Sequence, residues 1–201
     1  MQLGVVSKNH MASVDSGDRQ ELLGIIKELS FSTDKVVTLS SGRQSNLYFN
    51  MKPTMLNNRA SLLIAKELLR RLPGGKIYVG GLEMGAVPIV SALCPVASLD
   101  EREVQCFFVR KRPKEHGSKK LVEGLPERDS LDGKVVYVVD DVTTTGGSVL
   151  ATIAILSELG AKVSKVISIV DRLEGASETF KAERISFESI FNANDFLNSN
   201  L

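Results

Sequence analysis

Leu22, Leu23, Ile25, Ile26 and Leu29 recur at helical spacing behind Asp18 and Glu21, whose separation is that of a capping box, so a first helix is expected from about Asp18. Lys35 to Leu39 and Leu47 to Met51 have strand character around the turn Ser40-Ser41-Gly42-Arg43, where Gly42 can take a positive φ, and they predict a small β-rich lobe. From Asn57 onward the pattern alternates. A helix over Arg59 to Leu72 stops at Pro73-Gly74-Gly75, a strand follows over Ile77 to Gly80, a helix starts near Gly85, and a strand covers Val104 to Val109. After a polar segment come a strand over Val135 to Val139, a helix from about Gly147 to Leu159, a stop at Gly160 and a strand over Val163 to Val170. Strands alternating with helices predict an α/β domain with a parallel sheet, and the continuous apolar runs match strands buried on both faces. Ligands of such sheets bind outside the carboxyl ends of the strands. The polar segments with recognisable chemistry begin just past those ends.

The chain has 201 residues, 43% of them hydrophobic, which is enough for one well-buried core and too little for two ordinary domains. Met1 to Gly17 is polar and aperiodic, so it is expected as a flexible extension, His10 included, with no function assigned. Residues 18–201 are expected as one domain, with a hood from roughly 18–56 plus the C-terminal segment and a core over roughly 57–175. Lys and Arg total 25 against 24 Asp and Glu, and the net charge of +1 supplies no general attraction to nucleic acid or anionic membrane. The most apolar stretch, Ile77 to Leu99, is interrupted by Glu83, Pro88, Pro95 and glycines, which suits a strand, loop and helix and not a membrane span. Cys94 and Cys106 are too few for a disulfide framework and lack metal-ligand spacing, so two buried, reduced thiols are expected. No basic region followed by an apolar run opens the chain, and a cytoplasmic location is expected.

The strongest chemical signal runs from Val135 through Asp140-Asp141-Val142-Thr143-Thr144-Thr145-Gly146-Gly147-Ser148. It joins a buried strand to a helix N-terminus, where unpaired N–H groups and the helix dipole favour a phosphate, hydroxyls add donors and glycines admit close approach. Asp140 and Asp141 can accept hydrogen bonds from vicinal ribose hydroxyls, so one segment would hold phosphate and sugar together. The structural alternative is a helix capped by its own Asp and Thr side chains. A nucleotide-binding loop fits less well, because neither the Gly-x-x-x-x-Gly-Lys nor the Gly-x-Gly-x-x-Gly spacing is present. The run resembles the 5-phosphoribosyl-1-pyrophosphate (PRPP) motif of type I phosphoribosyltransferases. That resemblance implies ribose contacts from Asp140 and Asp141 and a 5-phosphate cradle over Thr143 to Ser148.

Arg110-Lys111-Arg112-Pro113-Lys114-Glu115-His116-Gly117-Ser118-Lys119-Lys120 concentrates cations in a nearly neutral chain. Alone it would be a solvated basic loop. Its place after a strand end lets it close over a ligand opposite the phosphate loop. Departure of pyrophosphate from C1 of a ribosyl group builds negative charge on the leaving group, and Arg, Lys and His there supply a bidentate clamp, point charge and a proton. Arg110, Lys111, Lys114, His116 and Gly117 resemble the mobile catalytic loop of the orotate phosphoribosyltransferase family, which implies catalytic and PRPP-binding roles for these four cationic residues.

Three further segments resemble that family, extending the likeness over nearly all of the chain after the N-terminal extension. Thr38 to Asn50 implies pyrimidine contacts from Tyr48 and Phe49, which as two core aromatics would serve equally well, and a substrate contact at Ser40, where relatives carry Lys. Ile169 to Gly175 implies that Arg172 clamps the orotate carboxylate, against the alternative of a surface ion pair with Asp171 or Glu174, and Thr144 is the family's other orotate contact. Val79 to Pro88 occupies the pyrophosphate-loop position and implies PRPP contacts from Glu83, Met84 and Gly85, with Met84 standing where many relatives carry Lys. The resemblance implies the type I phosphoribosyltransferase fold and conversion of orotate and PRPP into orotidine 5′-monophosphate and pyrophosphate, in pyrimidine biosynthesis. It also implies Mg²⁺ held mainly by PRPP and water, and a homodimer sharing the Arg110 to Lys120 loop between subunits. Two alternatives remain at this point: a purine-salvage phosphoribosyltransferase with the PRPP motif but a different base, and a PRPP-sensing regulator without chemistry.

Overall fold

The computed structural model describes residues 8–33, 37–38, 44–112 and 120–197. Helix α1 (Lys8–Leu29) leads into short strands β1 (Phe31–Ser32), β2 (Val37–Thr38), β3 (Gln44–Ser45) and β4 (Tyr48–Phe49). They pair antiparallel, β1 with β4 and β2 with β3; the turn expected at 40–43 lies outside the described residues. Then come α2 (Lys52–Met55), α3 (Asn58–Arg71), β5 (Ile77–Gly80), α4 (Ala86–Leu99), β6 (Val104–Cys106), β7 (Phe108–Val109) and β8 (Val122–Glu123). The chain continues through β9 (Val135–Thr143), α5 (Gly147–Glu158), β10 (Lys162–Asp171), α6 (Ala176–Ala182), β11 (Ser186–Asn192) and α7 (Ala193–Leu197).

A five-stranded, all-parallel sheet in the order β11-β10-β9-β5-β6 forms the centre. Along β9 successive side chains serve opposite faces, as strand geometry requires. Tyr137 and Val139 join Leu63, Leu68, Ile89 and Leu93 of α3 and α4, whereas Val136 and Val138 join Val149 and Leu156 of α5 and Phe180 of α6. Both faces are therefore apolar, which accounts for the unbroken hydrophobic runs. Helix α3 begins where expected because the Asn57 side chain accepts from the N–H groups of Arg59 and Ala60, both at 3.0 Å. No helix among the described residues is long and apolar enough to cross a membrane.

Several expectations are corrected. Helix α1 starts at Lys8, so Asp18 lies inside it. The capping-box spacing instead sets two acids against α3: Asp18 faces Arg59 (3.5 Å), Lys66 (3.2 Å) and Arg70 (3.6 Å), and Glu21 pairs with Arg59 at 2.6 Å. The strand expected over Val104 to Val109 breaks at Phe107, whose buried ring lies over Gly80 where a Cβ would otherwise stand. The chain then leaves the sheet as β7 and pairs antiparallel with β8. Strand β9 runs four residues past Val139, to Thr143, because its ladder to β10 continues through residues whose side chains have turned polar. Beyond residue 175, β11 completes the sheet edge, and α7 sends Phe196 back to the N-terminal lobe, where its ring lies 5.4 Å from Phe31 and 5.0 Å from Phe49. Cys94 is exposed and Cys106 only partly buried, so neither is the fully buried thiol expected; the two thiols lie together, Cys94 on α4 and Cys106 on β6.

Candidate active site

Past the carboxyl end of β5, the segment Gly81 to Gly85 is tied to the end of β7. Val109 N–H donates to the Gly81 carbonyl at 2.8 Å, Glu83 N–H donates to the Val109 carbonyl at 2.8 Å, and the Glu83 carboxylate accepts from Lys111 N–H at 2.9 Å. Gly81 is required here, since a Cβ would collide with the Val139 carbonyl oxygen of the neighbouring strand. The Glu83–Met84 peptide is cis, and Met84 is exposed at the rim. The basic segment is stemmed by β7 and β8, with Arg110 N–H bonded to the Leu121 carbonyl at 2.8 Å. Arg110 and Lys111 are thereby held beside the Gly81 to Gly85 turn; Lys114 and His116, like Ser40, lie outside the described residues.

Near the carboxyl end of the next strand, β9, Asp140 and Asp141 are consecutive and point to opposite faces. Burial pushes the Asp140 carboxyl up to about 7, reinforced by the charge of Asp141 and opposed by hydrogen bonds from Thr143 and the Asp141 N–H. Burial also raises Asp141, opposed by the N–H groups of Val142 and of Asp141 itself and by the charges of Lys52 and Lys111. Gly85 lies against this carboxylate, where its missing Cβ would stand 2.5 Å from Asp141 Oδ1. Val142 in the strand and Thr144 and Thr145 past it are half-buried, and Gly147 and Ser148 are exposed at the first turn of α5. Gly146 takes φ +85° against the Phe180 ring, a conformation that turns the chain into α5 and leaves its first N–H groups free of side-chain caps. That combination of open amides, dipole and hydroxyls suits a phosphomonoester.

The end of β10 completes the arrangement. Arg172 N–H donates to the Thr143 carbonyl at 2.9 Å, joining the β10 end to the start of the hydroxyl-glycine turn, and the buried Arg172 guanidinium pairs with Glu174 at 2.8 Å. The backbone is turned by Asp171, whose Oδ1 accepts from Leu173 N–H at 2.9 Å. The ion pair weighed from the sequence is thus present, with Glu174 as partner, in a buried setting at the strand end.

Of the aromatic pair, Phe49 packs with Phe31 (5.1 Å) and Phe196, as a hood-core residue would, while Tyr48 is 36% exposed. Two participants escaped the sequence reading. Lys52, on α2 directly after the aromatic strand, is near enough to lower Asp141; a lone Lys following Tyr48-Phe49-Asn50-Met51 was the available signal. Ser168, buried in β10 beside Asp140, is the other. A cavity of about 420 Å³ between residues 120–131 and the carboxyl end of α5 lies at the opposite end of that helix from the phosphate loop.

Residues 54–198 match the phosphoribosyl transferase domain family. The chain is 46% identical over 183 residues to an orotate phosphoribosyltransferase of Bradyrhizobium sp. (strain BTAi1), covering 90% of this chain and 98% of the relative. It is 45% identical over 185 residues to an orotate phosphoribosyltransferase of Rhodopseudomonas palustris (strain CGA009), covering 92% and 98%. Among solved structures, the Mycobacterium tuberculosis H37Rv orotate phosphoribosyltransferase in complex with PRPP superposes with a TM-score of 0.72 at 33% identity, covering 89% of this chain and 98% of that one. With a domain match over most of its length, and relatives of this identity covered almost end to end, this chain belongs to the orotate phosphoribosyltransferase family.

Proposed function

We propose that this chain transfers the 5-phosphoribosyl group of PRPP to orotate, forming orotidine 5′-monophosphate and pyrophosphate in pyrimidine biosynthesis. The observation that carries the reading is the 2.9 Å bond from Arg172 N–H to the Thr143 carbonyl. It sets a buried guanidinium beside a phosphate-binding turn, so that one substrate is recognised as a carboxylate and the other as a phosphate. A purine has no carboxylate to displace Glu174 from Arg172, which disfavours the purine-salvage alternative.

In this reading the 5-phosphate rests on Thr143 to Ser148 and the amides of α5, and Asp140 and Asp141 accept from the ribose hydroxyls. Glu83, Met84 and Gly85 border the pyrophosphate, together with Arg110 and Lys111 and with Lys114 and His116 of the same basic segment. Arg172 and Thr144 hold orotate, with Tyr48 along its ring and Ser40 as a further contact; the packing of Phe49 supports a hood role for that residue. Displacement at C1 passes through an oxocarbenium-like state, and the cations stabilise the departing pyrophosphate while the basic loop excludes water. Mg²⁺ is part of the proposal. A hard cation would suit a site surrounded by oxygen donors, would be held mainly by PRPP and water, and would supply charge neutralisation for the leaving group. A homodimer with a shared basic loop and a cytoplasmic location complete the proposal, on family kinship.

The test is to incubate the protein with orotate, PRPP and Mg²⁺. Orotate should be depleted as pyrophosphate forms, and EDTA should stop the reaction. Turnover of adenine or hypoxanthine with none of orotate would overturn the assignment.

A further inference from the structure

Three oxygen contacts run in a line inward from the sugar-binding carboxylates. Thr143 Oγ1 lies 2.8 Å from Asp140 Oδ2 and 3.0 Å from Ser168 Oγ, and Ser168 Oγ lies 3.0 Å from the Val170 carbonyl oxygen. All of them are buried, Ser168 completely. Each hydroxyl has one proton to donate. With Asp140 ionised, Thr143 and Ser168 hold two protons for three contacts, so one contact must place two acceptors face to face. If Thr143 donates to Asp140, Ser168 can donate to Thr143 or to the Val170 carbonyl, but not to both. With a proton on Asp140 Oδ2 the line closes: Asp140 donates to Thr143, Thr143 to Ser168, and Ser168 to Val170.

We propose that Ser168 is a positioning residue of the sugar-binding apparatus, whose hydroxyl terminates a relay through Thr143 that keeps a proton on Asp140 until ribose hydroxyls arrive to donate to that carboxylate. The ribose role of Asp140 rests on the function proposed above; the relay rests only on the three contacts. Burial and the charge of Asp141 raise the Asp140 carboxyl to about 7, and a Thr143 hydroxyl donating to the carboxylate acts the other way, so the direction in which Thr143 points matters to the proton. When the proton passes to solvent water, Ser168 turns from the Val170 carbonyl toward Thr143, Thr143 turns toward Asp140, and the carboxylate is left with lone pairs free for the sugar. Ser168 thus acts through Thr143 without touching substrate.

Charged groups around Asp140 are Asp141 next to it on β9, and Asp171 on β10, which is itself raised chiefly by burial and further by Glu178 of α6. Lys52 of α2 and Lys111 beyond β7 act on Asp141. None of these is altered in the variants that separate the two ends of the relay. Ser168→Ala removes two hydrogen bonds from the protonated form and one from the ionised form, so the proton affinity of Asp140 should fall roughly two- to tenfold, one hydrogen bond's worth. Thr143→Val keeps the shape of the side chain and cuts the line between Asp140 and Ser168, so adding Ser168→Ala to it removes the same bond to the Val170 carbonyl from both forms and should leave the proton affinity unchanged.

The experiment is a carboxyl-carbon NMR titration of the ligand-free protein labelled at aspartate, with Asp140→Asn identifying the resonance. The expected result is a midpoint near neutral pH in the parent, lower in Ser168→Ala, and the same in Thr143→Val with and without Ser168→Ala. A general loss of packing at Ser168 would act whether or not Thr143 is present. Equal midpoints in parent and Ser168→Ala, or a further shift when Ser168→Ala is added to Thr143→Val, would overturn the relay. Because no PRPP is present, failure of the relay is distinct from failure of the proposed function, which the orotate-depletion assay reads by itself.

Discussion

Gly85→Ala isolates the contact between the two strand-end loops from every other consequence of a substitution. Gly85 has φ −58° and ψ −47°, an ordinary helical conformation that alanine adopts freely, so the backbone has no reason to change. The added methyl carbon would stand 2.5 Å from Asp141 Oδ1 and 3.0 Å from Asp141 Cγ. The first is far inside van der Waals contact, and the element best able to give is the carboxylate, which rotates away from Gly85 and from its own backbone donors. Gly→Ala at a compatible helical position stabilises by about 0.4–1 kcal/mol through the unfolded chain, which offsets part of the local repacking cost of about 1–3 kcal/mol. Global stability should therefore change little.

Function should change more. If Asp141 accepts from the ribose as proposed, its displacement loses a hydrogen bond to a charged acceptor, about 1.5–3 kcal/mol, which corresponds to a roughly ten- to hundredfold fall in kcat/KM for PRPP. The assay varies PRPP at saturating orotate, with thermal denaturation run alongside. Gly85→Ala combined with Asp141→Asn should be no worse than Asp141→Asn alone, because both remove the same interaction. A kcat/KM within twofold of the parent, or full additivity in the double variant, would refute the argument that Gly85 exists to seat this carboxylate.

Arg172→Ala should raise the orotate KM at least tenfold while PRPP binding measured without orotate is spared; equal loss of both would mark Arg172 as a structural residue held by Glu174. Asp140→Asn should raise thermal stability at pH 8 more than at pH 5: a folded-state pKa of about 7, above the ordinary 3.8, means that the folded protein binds the proton more tightly, so stability declines as pH rises from about 4 through about 7, by an amount on the order of a few kcal/mol. An equal change in melting temperature at both pH values would refute this. Lys111→Ala and Asp141→Asn proteins, each nearly inactive, should regain about a quarter of full activity after subunit exchange if the basic loop serves the neighbouring site of a two-fold dimer, since half the dimers are mixed and one site in each is intact. No recovery despite demonstrated exchange would sink loop sharing.

What the chain discloses before folding follows from which interactions are local. Strands β5 and β10 and helices α3 and α5 were visible because burial on both sheet faces leaves an unbroken apolar run, and because Asn57, Pro73 and Gly160 punctuate it. Strand β11 was not visible: Ser186-Phe187-Glu188-Ser189-Ile190 mixes polar and apolar positions because it is a sheet edge, and Glu188 takes Lys165 at 3.0 Å from the neighbouring strand. Asp18 and Glu21 misled for the opposite reason, since a spacing with a well-known local meaning was being used for contacts with α3 far along the chain.

The same division runs through the site. The acidic pair, the hydroxyl-glycine turn and Arg172 were legible because each motif is contiguous and its chemistry is carried by its own residues. Ser168 was overlooked inside the run Val166-Ile167-Ser168-Ile169-Val170, although a hydroxyl in a strand buried on both faces has to be paired with something. Its partners cannot be inferred from the run itself, because they depend on register: the β9–β10 ladder sets Ser168 opposite Asp140 and Asp171 opposite Thr143. A one-residue slip of that ladder would turn Ser168 to the other face of the sheet and break the line of contacts to the carboxylate. Sheet register, fixed by apolar packing through the length of β9 and β10, thus determines which buried hydroxyl can reach Asp140 through Thr143.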